Sequence, residues 1–184
     1  MRVYCIDASS LIDWGVRFQP RNIAEPLWLR LEDLIRMERM ITVHQVVLEL
    51  DGRKSDGMAK WARSQTTRWI RSVDAELVQT VTSLMRDYPD LVRQDVKFGA
   101  DPYLVAWAER IGRGSPSGTL QVFEDEATDP HEPTLVTEER PKAGKVNIPF
   151  VCGRRGLACI NLERLLELER WSFGENPELA PDNL

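Results

Sequence analysis

Histidine is nearly missing from this 184-residue chain, which has only His44 and His131. Two imidazoles are too few for a mechanism built on several of them or for a histidine-rich metal cage. Cysteine is almost as scarce. Cys5, Cys152 and Cys159 form no Cys-x-x-Cys pair or other zinc spacing, and their odd number argues against a disulfide framework. We therefore expect a reducing, cytoplasmic home. No apolar run approaches the roughly twenty residues that a membrane helix needs. The opening Met1-Arg2 leads straight into a strand-like run, without the apolar stretch and cleavage site of a signal peptide. A basic surplus is also lacking. The 24 Lys and Arg against 29 Asp and Glu leave a formal charge of −5, which argues against a general electrostatic grip on nucleic acid but not against a local one.

The length suits one ordinary domain with its own core. Val3, Tyr4, Cys5 and Ile6 have the β-branched and aromatic bias of a strand covered on both faces, and the strand stops on Asp7. In open α/β sheets the crevice beyond the carboxyl ends of the strands takes the ligand, so an acid delivered there is well placed. Asp7 and Ser9 also suit a plain turn, because both bond readily to local backbone.

Leu27, Leu31, Leu34 and Ile35 then mark the apolar face of a helix that follows Pro26. Met40 to Val43 is strand-like, and His44 to Asp51 reads as a short helix with Val46 and Leu50 inward and Glu49 beside that face. Further helices are expected around Met58 to Arg71, around Asp74 to Tyr88 with a Leu77, Val81, Leu84 and Met85 stripe, and from Asp101-Pro102 onward. Gly112 to Pro133, rich in Gly, Pro, Ser and acids, reads as an insertion, with Thr119 to Phe123 as its one strand-like piece. Beyond it come a strand at Thr134 to Thr137, a Pro-started helix or turn at Ile148, a strand near Leu157 to Ile160 and a helix from Asn161 to about Trp171. Residues 172–184 read as a frayed tail. Strands interleaved with helices imply an α/β fold, a three-layer α/β/α sandwich around a mostly parallel sheet, formed by a single domain over 1–171.

Four acids stand at special places: Asp7 after the first strand, Glu49 on a helix edge, Asp101 at a helix opening, and Glu138 or Glu139 after a later strand. Carboxylates gathered in one crevice repel one another and resist desolvation. A hard divalent cation removes that cost. Oxygen donors without histidine or thiol suit Mg2+ or Mn2+ better than zinc, and such ions activate water against a phosphodiester. Each acid has a plainer reading as well. Glu49 suits a helix surface near Arg53, Asp101 before Pro102 suits an N-cap, and Glu138-Glu139 suits a solvated strand end.

In chain order, the strand ending in Asp7-x-Ser9, Val46-x-x-Glu49-Leu50, Ala100-Asp101-Pro102-Tyr103-Leu104-Val105-Ala106 and Leu135-Val136-Thr137-Glu138-Glu139 resemble a PIN domain. The nearest resemblance is to a bacterial PIN-like branch related to VapC-type toxin ribonucleases. Gln19 to Ile35 and Ile148-Pro149-x-Val151-Cys152 are similar to that branch too. The resemblance spans roughly Met1 to Glu169 apart from the insertion. It implies a nuclease domain that cuts RNA with Mg2+ or Mn2+, often the toxin of a toxin–antitoxin pair with an antitoxin partner, and often a homodimer. By position it makes Asp7, Glu49 and Asp101 the first three catalytic and metal-binding acids. The family pattern Thr-x-Asp points from Thr137 to Glu139 as the fourth, with Glu138 as its rival, and Ser9 and Thr137 take hydroxyl positions that orient an acid or a bound water.

Arg53, Lys54, Lys60, Arg63 and Arg68 are candidate contacts to RNA phosphates, or else a solvated helix face. Trp61 and Trp69 suit base stacking or, at this spacing, packing. The acids from Glu124 to Glu132 read as a solvated lobe. Two other functions compete with the nuclease. One is a catalytically weak PIN-like module that binds RNA or a partner protein. The other is a phosphatase or phosphotransferase using Asp7 as nucleophile, a scheme that commonly wants a second aspartate where Ser9 stands.

Overall fold

The structure is a computed structural model that describes residues 1–52, 56–65, 68–92, 99–113 and 131–171. Its centre is a five-stranded sheet of β1 (Arg2–Ile6), β2 (Met40–Val43), β3 (Ile70–Arg71), β4 (Glu132–Val136) and β5 (Ala158–Ile160). The spatial order is β3-β2-β1-β4-β5, with every pairing parallel. Parallel strands need crossovers on the sheet faces, so their side chains are covered on both sides. That accounts for the largely apolar runs of β1 and β2, two of the three inner strands: Tyr4, Cys5 and Ile6 have no exposure, and Met40 to Val43 are all buried.

Eight helices flank the sheet among the described residues: α1 (Ala8–Arg17), α2 (Glu25–Arg36), α3 (His44–Gly52), α4 (Asp56–Ser64), α5 (Ala75–Asp87), α6 (Asp101–Gly112), α7 (Ile148–Arg155) and α8 (Leu162–Leu168). One group packs α1 with α3 and α4; the other packs α6 with both α5 and α7. The result is the expected α/β fold with PIN-like topology. None of these helices is long and apolar enough to cross a membrane.

Five details depart from the sequence expectations. Residues 8–17 form a helix where no periodicity had been recognised, with Leu11 and Trp14 buried on its inner face. The helix expected to run from Met58 to Arg71 ends at Ser64. The Trp69 indole donates to the Ala62 carbonyl at 3.0 Å, and Thr42 N–H donates to the Trp69 carbonyl at 2.8 Å, which draws Ile70 and Arg71 into the sheet. Met85 lies on the exposed side of α5. The last helix stops at Leu168, because Arg170 turns to a φ of 56°. Finally, the span expected as an insertion is trimmed at both ends, since Gly112 completes α6 and Glu132-Pro133 begin β4. The expected strand at Thr119 to Phe123, the acids from Glu124 to Asp129 and the 172–184 tail lie outside the described residues.

Tryptophans tie the α1 side together. Trp171, Trp14, Trp28, Trp61 and Trp69 form a chain of tilted, edge-on rings with centroids 6.3, 6.1, 5.3 and 5.8 Å apart. This is the offset geometry that aromatic quadrupoles favour. Trp61 and Trp69 are buried in this chain, so their faces are spent on packing and neither is available to stack on a base.

Candidate active site

All five strands are parallel, so their carboxyl ends share one rim, and the acids gather along it. Asp7 follows β1 directly. Its backbone N–H donates to the Val136 carbonyl at 3.1 Å, which keeps it in line with the end of β4. As N-cap of α1, its Oδ1 accepts from Ser10 N–H at 2.7 Å, satisfying one of the open donors of the first helical turn. The other oxygen, Oδ2, accepts from Ser9 Oγ at 2.7 Å and from Thr137 Oγ1 at 2.6 Å. Those two hydroxyls in turn accept from the backbone N–H groups of Glu138 and Glu139, both at 3.1 Å. Ser9 and Thr137 thus connect Asp7 to the backbone that carries the later acids.

Each remaining acid also meets a helix start. Glu49, on α3, accepts from Ala100 N–H at 2.9 Å through Oε1. It closes the opening of α6, where Ala100 is the N-cap and offers no side-chain bond of its own. Asp101 is therefore the first residue of that helix and not its cap, contrary to the plainer sequence reading. Glu139 accepts from Ile148 N–H, the first of α7, at 3.3 Å, and its Oε1 lies 3.4 Å from Lys145 Nζ. Glu138 turns elsewhere, accepting from Leu162 N–H at 2.8 Å at the start of α8 and pairing with Arg17 at 3.4 Å. The partial positive charge at a helix start favours a carboxylate, so the convergence of these helices lets one rim tolerate so many acids.

The tolerance is incomplete. Burial, followed by the charges of Glu139, Asp7 and Glu49, pushes the Asp101 carboxyl up to about 8, with Lys145 pulling the other way. Burial raises Asp7 as well, against the hydrogen bonds from Thr137, Ser10 and Ser9. Asp7, Glu49, Asp101 and Glu139 therefore share one electrostatic site, whereas Glu138 is occupied by α8 and Arg17. The donor set is hard oxygen throughout, which fits Mg2+ or Mn2+. Among the described residues no three His, Cys, Asp or Glu side chains are gathered closely enough to hold a metal ion. The site thus has the right donors, drawn apart onto separate helix starts.

Asp7 is a poor nucleophile here, being buried and accepting three hydrogen bonds, and this weighs against the phosphotransferase reading. Of the basic residues singled out in the sequence, Arg53 and Lys54 lie outside the described residues. Lys60 is exposed. Arg63 is paired with Asp51, and Arg68 with Glu38 at 3.1 Å.

The cysteines, scattered in sequence, meet beside the rim. Strand register aligns Cys5 with Leu135 and Leu135 with Cys159. The Cys152 thiol on α7 shares a hydrogen bond with Cys159, which together with burial holds Cys152 protonated. Burial, against the opposing charge of Arg71, pushes Cys5 up to about 12. All three are free thiols. Their meeting depends on sheet order, which no spacing in the sequence displays.

No curated protein matches the chain. A solved structure, the crystal structure of PAE2754 from Pyrobaculum aerophilum, is similar at 15% identity and a TM-score of 0.33, over 85% of this chain and 98% of that one. That likeness is too distant to inform the site. Residues 4–114, more than half of the chain, match the family described as a domain of unknown function, DUF4411. The chain belongs to the DUF4411 family.

Proposed function

We infer that this protein is a metal-dependent endoribonuclease that hydrolyses RNA phosphodiester bonds, working in the cytoplasm as the toxin of a toxin–antitoxin pair. The observation that carries the reading is the shared rim of Asp7, Glu49, Asp101 and Glu139, with Asp101 driven up to about 8 by burial and like charge. Such an excess of carboxylate is what a bound divalent cation relieves. Asp7, Glu49, Asp101 and Glu139 are the residues that would hold Mg2+ or Mn2+, which would supply an activated water and charge stabilisation at the leaving oxygen. Ser9 and Thr137 fix the Asp7 carboxylate, and Glu49 fixes the start of the helix that carries Asp101. The choice of RNA, of an antitoxin partner and of a homodimer rests on the PIN resemblance of the sequence.

The test is cleavage of a mixed RNA pool with Mn2+, alongside calorimetric Mn2+ titration. Asp101→Asn and Glu139→Gln are each expected to slow cleavage by at least about 100-fold, the scale of losing a group that stabilises transition-state charge, and to weaken Mn2+ binding. Full activity in both variants would overturn the assignment. One observation favours the second reading, a catalytically weak binding module: every rim carboxylate except Asp101 is already engaged by a helix start. RNA binding by the wild type without Mn2+ binding or cleavage would favour that module.

A further inference from the structure

The segment between Glu139 and α7 reads Arg140-Pro141-Lys142-Ala143-Gly144-Lys145-Val146-Asn147. It carries three cations and no acid in a chain of net charge −5. It is also tied down. The buried Asn147 side chain donates to the Arg140 carbonyl at 2.9 Å and accepts from Phe150 N–H at 3.2 Å, while Lys145 N–H donates to the Lys142 carbonyl at 3.0 Å. Gly144 takes the left-handed φ of 74° that closing this turn requires. Arg140 and Lys142 are exposed and make no ion pair among the described residues, and the Lys145 side chain, 45% exposed, reaches Glu139 at 3.4 Å. Many other arginines of the fold are neutralised by a neighbouring acid, among them Arg17, Arg39, Arg63, Arg68 and Arg110.

We propose that this turn is the phosphate-binding surface of the site, with Arg140 and Lys142 holding backbone phosphates of a single-stranded RNA and Lys145 leading the strand to the acidic rim. The proposal rests on the nuclease reading only for the choice of RNA as ligand. A polyanion approaching the rim meets four carboxylates and is repelled unless fixed cations stand beside them, and this turn supplies them next to Glu139. Its ordered backbone means that little conformational freedom is lost on binding. An extended phosphate chain matches separate point charges on a turn better than it matches a pocket. Phosphate contacts of this type position the strand without reading its sequence.

The experiment measures binding of a fluorescein-labelled single-stranded RNA oligonucleotide by anisotropy, in EDTA so that no cleavage intervenes, across a salt series. The wild type is compared with Arg140→Gln/Lys142→Gln. Both positions are exposed, and Arg140 is fixed through its backbone carbonyl, so the variant keeps its fold; circular dichroism checks this. The expected result is at least a tenfold loss of affinity near 0.1 M salt. The slope of log K against log salt should flatten by about 0.7 for each phosphate contact removed. Equal affinity and slope in the two proteins would overturn the proposal even if the wild type cleaves RNA. So would a wild type that binds no RNA, which would point to an acidic protein partner for the turn instead. Binding that depends on the turn in a protein that never cleaves with Mn2+ would support the turn and refute the nuclease.

Discussion

Asp101 is the residue at which stability and function pull apart. Its carboxyl, ordinarily near 3.8, is raised to about 8 in the folded protein. Between those values the folded state keeps a proton that the unfolded chain has released, so the contribution of Asp101 to stability falls as pH rises from about 4 to about 8 and then levels off. Asparagine removes the titration. The melting temperature of Asp101→Asn relative to wild type should climb across that window, by several degrees if the relief is on the order of 2 kcal/mol. Thermal melts at intervals between pH 4 and 8 check this, and a constant difference would show that neither burial nor the charges of Glu139, Asp7 and Glu49 raise the Asp101 carboxyl. A variant both inactive and more stable is expected of a site that stores like-charge repulsion for later use.

At the scale of elements, adjacent glutamates serve different helices, and their substitutions should separate. Glu138→Ala removes the acceptor of Leu162 N–H at the start of α8 and should cost about 1 kcal/mol, the usual scale of a lost hydrogen bond at a helix start, with cleavage retained. Glu139→Gln keeps an acceptor for Ile148 N–H and should leave the melting temperature near that of wild type while cleavage falls. Parallel melts and activity assays on the two variants check the division, and the reversed pattern would make Glu138 the fourth acid. The sequence alone left these two residues open because both follow β4, and only the three-dimensional placement of α7 and α8 distinguishes them. Asp7 was legible because an acid closing an apolar strand stands out, and so was Asp101 beside a proline. Helix α1 was hidden by Ser9, Ser10 and Gly15, which are poor helix formers whose cost is met by burying Leu11 and Trp14. Glu49 was legible as an acid beside the apolar face of its helix, but its partner, Ala100 N–H, lies 51 residues along the chain, where no spacing displays it.

The whole molecule joins two stretches of chain across β1. Strands β2 and β3 come from the first part and lie on one side, whereas β4 and β5 come from after residue 130 and lie on the other. The family match stops at residue 114, yet Thr137 and Glu139 lie beyond it. A chain ending at 113 would leave the unexposed Tyr4, Cys5 and Ile6 of β1 on an open sheet edge, without the bond from Tyr4 to Glu169. We expect it to show no cooperative thermal transition by circular dichroism, and a sharp melt would disprove the dependence of the first part on the second. The pairing of Arg2 with Glu132 and the bond from Thr137 to Asp7, 130 residues apart, also have a kinetic meaning. Closing so long a loop is entropically slow, and contacts of that separation tend to form late. The acids of the rim come into alignment only when that last strand docks, so a growing or half-folded chain has no assembled centre with which to cut.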